Sequence, residues 1–585
     1  MNSPRTVPQL AWPADTNLML PGSKSSANRL LVLAATSGKR VCVDAVTASD
    51  DVLRLLDGLR TLGFAIEHDT NTEQVVVGPR RANAPTHGAL DCGNAGTALR
   101  FLVSLAAITP GDWVLTGDDA MQRRPIAELV AAWRSLGVTL SDTHGCPPVH
   151  VHGGAAIGGV VALDASRSSQ FVSSLLLVAA ALRDGLTVTL AGPVASADYV
   201  GMTRDALQHF GVHSMATPNA IVVRPGFRAV PPAVRAAADW SSMGIWTCLN
   251  HLTGSRVRAT KLATHSGQPD EALANVLAAM PTTGEHTLDV AAFPDQFLNL
   301  AIVAAHRSGT TRFVGGANLR LKECDRLAVM ARTLAQAGIA VEEKPDGLVV
   351  HGRRPLQPVT IDPCNDHRVA MAWALAGLLS PGIAIRDPDC VAKSYPGFWR
   401  DLDAVVRIRR CVVFVGMRGA GKSTLARAFA SCVDGRWIDT DAKFVAQHGP
   451  IADFVAAAGW PAFRSHEERI VEKAVQPNQV VSIGGGAIES AATRQRLRDQ
   501  ALVVWLDAEP SLLRQRLLAD TQTRPSVTGA PVLDEIEMLL TQRRPLYAEV
   551  ANVRIDAALP TAAQIDRILH ELGRPCRWPD NSRHA

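Results

Sequence analysis

The chain has 585 residues, 47% of them apolar and 19% charged, with a formal net charge of +4. That length leaves room for three or four compact units, each with a core of its own. The composition excludes a fibrous or disordered chain, and without a lysine or arginine tract the sequence offers no footing for nucleic acid. Ten cysteines lie scattered with no C-x-x-C pair, which fits a reducing compartment better than a disulfide scaffold. The longest apolar runs, such as Phe171–Leu182 and Val369–Leu379, are too short to span a bilayer. The stretch Met1–Leu20 carries Asp15 and three prolines and no apolar signal segment, so a soluble chain of the cytoplasm, without membrane partners, is expected.

Residues up to about 400 repeat a pattern. A helical stretch closes on an apolar-Gly-apolar step at Leu62-Gly63-Phe64, Leu136-Gly137-Val138, Phe210-Gly211-Val212 and Ala337-Gly338-Ile339. Each glycine suits the position just past a helix, where φ turns positive. A short β-rich run follows each time, at Val75–Val77, Val149–Val151, Ile221–Val223 and Leu348–Val350. The first three glycines lie about 74 residues apart, and the gap from Gly211 to Gly338 has room for a degenerate copy around Leu277–Pro281. Such a period is too long for a solenoid. It predicts five or six α/β units, each a small mixed sheet with helices packed on it. The segment Arg224–Pro232 reads as a hinge between two lobes, with a second crossing near Pro21-Gly22 where an N-terminal strand leaves one lobe.

Polar clusters fall at the turns of these units, where function concentrates. They are Pro21–Arg29, Gly93–Thr97 with Arg100, Arg123-Arg124-Pro125, Ser168-Ser169-Gln170, Pro294-Asp295, Asn318–Arg326, Asn365–Arg368 and Ala392-Lys393. Taken singly, Arg29 or Arg100 reads as an ordinary surface helix residue. Together the clusters supply cations, two carboxylates and several hydroxyl and amide donors, a set suited to ligands carrying phosphate and carboxylate. Lys322 and Arg326, four apart, are expected on one helical face. A metal site at His144, Cys146, His150 and His152 competes with a plain surface strand, and the repeat favours the strand.

In this order the motifs resemble 5-enolpyruvylshikimate-3-phosphate (EPSP) synthase over about residues 10–405. Asn318–Arg326, Asn365–Met371 and Ala392–Trp399 are most similar to the version inside the fungal arom polypeptide. The resemblance implies an α/β fold of two lobes built from βαβαββ units, of the inside-out α/β barrel type, about residues 22–227 and 1–21 plus 228–405. It implies transfer of enolpyruvyl from phosphoenolpyruvate to the 5-hydroxyl of shikimate 3-phosphate, without a metal. Lys24, Ser25, Arg29, Ser168, Ser169, Gln170, Ser196, Asp295, Asn318 and Lys322 would hold shikimate 3-phosphate. Lys24, Gln170, Arg124, Arg326, Arg368 and Lys393, with the turn Asn94–Gly96, would clamp phosphoenolpyruvate. Acid and base duties fall among Asp295, Glu323 and Lys24, their division left open. Gly96 implies ordinary sensitivity to glyphosate. The segment Ala238–Phe293 departs from the family. Asp239, Ser241, Ser242, Gln268 and Asp270 stay in register, but the strands between Pro281 and Asp295 look shortened. The sister reaction on a UDP-sugar fits less well, because Ser25 stands where that family has asparagine and no cysteine loop follows Gln122.

Further on, Val412–Val415 runs into Gly416-x-x-x-x-Gly421-Lys422-Ser423 and then an Ala/Leu-rich helix. This is a phosphate-binding loop, whose backbone N–H groups turn onto an anion at a helix N-terminus. Lys422 would reach the β- and γ-phosphates and Ser423 a Mg²⁺ ion. Strands at Val412–Val415, Val480–Ile483 and Leu502–Leu506 predict a parallel sheet covered on both faces. Asp439-Thr440-Asp441, Phe463-Arg464-x-x-Glu467, Gly484-Gly485-Gly486, Arg524-Pro525 and Arg543–Tyr547 add a set that resembles shikimate kinase over residues 410–575. By that resemblance Asp441, Arg464, Arg543 and the backbone of Gly484, Gly485 and Gly486 hold shikimate, with Asp441 as candidate base. Gly419, Ala420, Gly421, Lys422, Ser423, Thr424 and lid residue Arg524 face ATP, while Ser423 and Asp439 go with Mg²⁺. Arg516 is a candidate second lid arginine, the lid spans about Leu518–Pro531, and 576–585 is expected to be a disordered tail. Both resemblances imply a bifunctional enzyme of small anionic substrates, monomeric or dimeric. Its rival is an active kinase carrying an idle synthase-like scaffold.

Overall fold

The structure is a computed structural model that describes residues 3–10, 14–263, 266–352, 355–406, 411–433, 435–476, 479–519 and 525–573. Arg524, the connector residues 407–410 and the tail 576–585 lie outside the described residues. The chain forms two compact units, one mainly from Thr16–Leu252 and Val257–Asp401, the other mainly from residue 402 onward.

In the first unit three four-stranded sheets share one strand order. In each, two parallel strands are followed by an antiparallel hairpin that joins through its second arm: His87–Asp91, Gly111–Thr116, Cys146–Gly153 and Thr139–Thr143; then Gly159–Leu163, Leu186–Leu190, Ala220–Val223 and Ser214–Thr217; then Thr283–Asp289, Ser308–Val314, Gly347–Gly352 and Ala340–Lys344. With a helix after each of the first two strands, this is the βαβαββ unit. A fourth sheet has the same order but takes its first strand, Ala233–Arg235, from beyond the hinge segment, beside Val41–Asp44. The N-terminal Arg5–Thr6 pairs antiparallel with Ile383–Ile385, late in the chain. Gly63, Gly137, Gly211 and Gly338 have φ of +92°, +83°, +67° and +82°, so the repeat is set by helix-ending glycines.

One expectation fails. The strand Thr283–Asp289 is not shortened; it pairs over seven residues with Ser308–Val314. It has no apolar alternation and is largely exposed, so it reads as shorter than it is. The buried Arg307 guanidinium pins its start, donating to the carbonyls of Pro281 (3.0 Å), Thr283 (2.9 Å) and Gly284 (2.9 Å). Lys322 and Arg326 also do not share a helix. Lys322 follows the 3₁₀ turn Ala317–Leu321, and Arg326 opens the helix Arg326–Gln336 under an Asp325 cap.

The helices Lys24–Thr36, Gly96–Ile108 and Ser169–Ala179 are buried along almost their whole length and join one apolar core reaching from Ala27 to Ala236. Their apolar and small side chains allow burial on every side. What remains accessible is their first turns, and these position the site.

The second unit is a five-stranded parallel sheet ordered Arg436–Asp439, Gln479–Ser482, Cys411–Val415, Ala501–Asp507 and Val553–Asp556. The central strand is wholly buried, and Gly416 (φ +144°), Gly419 (+79°) and Gly421 (+97°) turn the chain from it into the helix Lys422–Cys432. The edge strands are short and half exposed, which is why only the inner three stand out in the sequence. Among the described residues no helix is long and apolar enough to cross a membrane.

Two candidate active sites

In the first unit the opening turns of the helices at Lys24, Gly96 and Ser169 meet the segment Asn318–Glu323, Asp295 and Arg368 around one cleft. Three helix N-termini present their positive ends there, a site for anions before any side chain is counted. The cleft wall holds Lys24, Ser25, Arg29, Gly96, Arg124, Ser168, Ser169, Gln170, Ser196, Asp295, Asn318, Lys322, Glu323 and Arg368. Asn94, Arg326 and Lys393 stand directly behind, in contact with that wall.

The cations divide by partner. Lys24 Nζ donates to Asp51 at 2.6 Å. Burial lowers the ammonium pKa, but Asp51 and Glu323 outweigh it, and the group ends above its ordinary value. Among the described residues Arg29 is buried with neutral hydrogen-bond partners: Thr203 Oγ1 at 2.8 Å, the Ser25 carbonyl at 2.7 Å, the Tyr199 carbonyl at 3.0 Å and Ser173 Oγ at 3.4 Å. Burial pushes it down to about 10. Arg100 donates to Gln170 Oε1 at 2.5 Å and is pushed down to about 9 by burial and by the neighbouring Arg124. An anion entering beside Arg29 and Arg100 would relieve cations that the protein leaves without a carboxylate of their own.

The carboxylates are held the opposite way. Asp295 receives Arg326 at 2.9 Å and Arg368 at 3.0 Å, and Tyr199 OH lies 3.4 Å away. Burial would raise its pKa, but Arg368, Lys322 and Arg326 pull it far below the carboxylate range. Glu323 meets Arg326 at 3.0 Å, Lys393 at 3.2 Å and Arg124 at 3.8 Å. These cations likewise overcome burial and keep it well below its ordinary value. Arg326 spends its guanidinium on Asp295, Glu323 and Asp366, so a ligand gains a fork from it only if one carboxylate yields. Asn318 Oδ1 is buried with no hydrogen-bond partner among the described residues, and an added Cβ on Gly96 would lie 2.5 Å from Arg124.

Three functional neighbours escaped the sequence reading. Asp51 sits two residues past Ser49 at a helix start, where an acid reads as complementing the dipole. Asp366 lies inside a motif but gave no sign that Arg326 would bind it. Tyr199 is one of only three tyrosines, the one available signal; burial, then Asp270 and Asp295, push it well above its ordinary value. Away from the cleft, His152 Nδ1 lies 2.6 Å from Asp112 on an exposed strand.

In the second unit Ser423 Oγ donates to Asp439 at 2.6 Å, and Ser482 Oγ to the same oxygen at 2.8 Å. Lys422 Nζ reaches the Met417 carbonyl across the loop at 3.0 Å. Arg516 donates to the Ala420 carbonyl at 2.9 Å and the Ala557 carbonyl at 2.8 Å, which ties it to the phosphate loop. Thr424 lies in the first turn of the same helix. Some way along the sheet Arg464 pairs with Glu467 at 2.6 Å and Glu489 at 3.3 Å, and Arg543 pairs with Glu489 at 2.7 Å. A Cβ on Gly484 would lie 2.2 Å from Glu467 Oε1 and 2.8 Å from Asp441 Oδ1. A Cβ on Gly486 would lie 2.0 Å from Arg464. The glycines are there so that backbone and charged heads can converge. Burial pushes Glu467 up to about 7, with Arg464 opposing and Asp441 adding to the rise.

The fold and the cation-lined cleft define an enolpyruvyl-transferase type of chain. Residues 13–402 match EPSP synthase (3-phosphoshikimate 1-carboxyvinyltransferase), and the chain belongs to that family. Residues 418–573 match shikimate kinase. The chain is similar to the pentafunctional AROM polypeptide of Komagataella phaffii, 33% identical over 615 residues, covering 92% of this chain and 39% of the relative. It is also similar to the 3-phosphoshikimate 1-carboxyvinyltransferase of Pseudomonas syringae pv. tomato, 37% identical over 409 residues, covering 67% of this chain and 96% of the relative. The solved structure of EPSP synthase from Acinetobacter baumannii shares the fold at a TM-score of 0.57 and 24% identity, covering 69% of this chain and 98% of that one. The chain thus spans 39% of the length of the AROM relatives it matches.

Proposed function

We propose that the chain phosphorylates the 3-hydroxyl of shikimate with ATP and then transfers enolpyruvyl from phosphoenolpyruvate to the 5-hydroxyl of the product, releasing phosphate. We assign 1–405 to the synthase, with lobes of about 22–227 and 1–21 plus 228–405, and 410–575 to the kinase, in a cytoplasmic chain that is a monomer or a dimer. The observation that carries the reading is one cleft in which the first turns of three helices and several cations surround the carboxylates of Asp295 and Glu323, both held well below the ordinary carboxylate range.

In the synthase, Ser25, Arg29, Ser168, Ser169, Ser196, Asn318 and Lys322 take shikimate 3-phosphate. Arg124, Arg368, Lys393 and the Asn94–Gly96 turn take phosphoenolpyruvate, and Lys24 and Gln170 lie between. Asp295, on the sugar-acid side beside Tyr199, accepts the 5-hydroxyl proton as its oxygen bonds C2 of phosphoenolpyruvate. Lys24, held protonated, donates to C3. Glu323, facing Lys393 and Arg124, then takes a proton back from that carbon while the C–O bond to phosphate breaks. The cations stabilise the anionic addition intermediate in a site that closure of the lobes dries.

In the kinase, Ser423 and Asp439 place hard oxygens together beside the phosphate loop, a donor pair suited to Mg²⁺. When bound, the ion would neutralise charge on the ATP phosphates. Lys422 and the loop N–H groups orient those phosphates, and Arg524, outside the described residues, is assigned to the same phosphates. Arg464 and Arg543 fix the shikimate carboxylate, and Asp441 takes the 3-hydroxyl proton.

Phosphate release from phosphoenolpyruvate plus shikimate 3-phosphate tests the synthase half. The wild type turns over, and Lys24→Met and Glu323→Gln each lose about 10²- to 10⁴-fold in kcat. An inactive wild type with a working kinase returns the first 400 residues to a scaffold.

A further inference from the structure

Glu489 stands where a substrate carboxylate would stand. It ends the short turn Ala487–Glu489 that follows the triple glycine. Its Oε1 accepts Arg543 Nε at 2.7 Å, and its Oε2 lies 3.3 Å from Arg464. One side chain therefore bridges two guanidiniums carried by different helices. The members of the bridge are unequal: the Arg543 side chain is 2% exposed and that of Glu489 40%. The cation is fixed in the wall, and the anion is the member free to swing out. The bridge is also incomplete, because buried Arg543 Nη2 lies 2.7 Å from Glu489 yet makes no aligned hydrogen bond among the described residues. A carboxylate arriving from solvent in a two-pronged geometry would satisfy that donor, which Glu489 does not.

We propose that Glu489 is an internal competitor for the substrate carboxylate: it bridges Arg464 and Arg543 and must be displaced by a ligand able to pair with both. It is thereby a specificity-determining residue. A simple monocarboxylate has to displace a tethered carboxylate and gains nothing beyond the same two ion pairs. A polyhydroxylated ring acid gains further contacts, at Asp441 and at the backbone of Gly484–Gly486, and these decide the exchange. The identity of that ring acid rests on the kinase reading above; the competition itself does not.

The test is calorimetric titration of the full chain and its Glu489→Gln variant with shikimate and, separately, with benzoate. Removing the charge while keeping the side-chain shape should tighten shikimate about fivefold, the order expected for releasing a partly exposed ion pair. It should lower the kinase KM by a similar factor at unchanged kcat, and create benzoate binding that the wild type lacks. Glu489→Ala should behave likewise, which guards against a folding defect peculiar to one substitution. If shikimate binds to neither protein but benzoate binds to the variants, the competition stands and the kinase reading falls. Unchanged or weaker shikimate binding in both variants, with no gain of benzoate binding, overturns the proposal. It would make Glu489 a residue that organises the arginines rather than one that competes for them.

Discussion

At the scale of single residues the sites are built from opposed choices about charge. Arg29 and Arg100 are buried against neutral oxygens, while Asp295 and Glu323 are flanked by more cations than they can neutralise. Gly96 belongs to the same design, since any side chain there presses on Arg124. Gly96→Ala should raise the KM for phosphoenolpyruvate several-fold and weaken glyphosate inhibition more than that, both read from steady-state phosphate release. In the kinase, Glu467 is a buried carboxyl raised on folding to about 7. The native state then holds a proton that the unfolded chain has already released, so its contribution is full below the ordinary carboxylate range and is lost as pH rises through about 7. Urea unfolding of the kinase signal between pH 5 and 8 should lose on the order of 2–3 kcal/mol from this group, and Glu467→Gln should flatten the slope. The motif residues were legible because their spacing is local. Asp51, Tyr199, Asp366 and the bridging role of Glu489 were not, because each is defined by a partner distant in sequence.

At the scale of elements, the repeat is visible because a glycine with positive φ must end each helix. The length of Thr283–Asp289 is hidden because its residues carry no alternation; its ladder with Ser308–Val314 makes it a strand, and the Arg307 guanidinium holds its start. Arg307→Leu should remove the donor shared by the carbonyls of Pro281, Thr283 and Gly284 and destabilise the first unit by about 1–2 kcal/mol, read as a lowered midpoint in thermal unfolding. The loss should fall on synthase rather than kinase activity. An unchanged midpoint would mean that backbone pairing alone holds the strand. The same contrast appears in the kinase sheet, whose buried inner strands announce themselves while the half-exposed edges at Arg436–Asp439 and Val553–Asp556 do not.

At the scale of the molecule, each unit has buried apolar residues of its own, with one cluster reaching from Ala27 to Ala236 in the first and one from Cys411 to Leu569 in the second. The residues proposed for the synthase and for the kinase are different residues, so inactivating one site should leave the other intact. A small product released to solvent gains no effective concentration from the covalent link, so shikimate 3-phosphate should accumulate before it is consumed. The most direct measurement supplies shikimate, ATP, Mg²⁺ and phosphoenolpyruvate to the single chain and follows ADP and phosphate together. ADP should form at once and phosphate after a lag. Lys24→Met should abolish phosphate and leave ADP, and Lys422→Met should abolish both until shikimate 3-phosphate is added, when phosphate returns. Phosphate that fails to appear from the wild type even with added shikimate 3-phosphate would contradict the account.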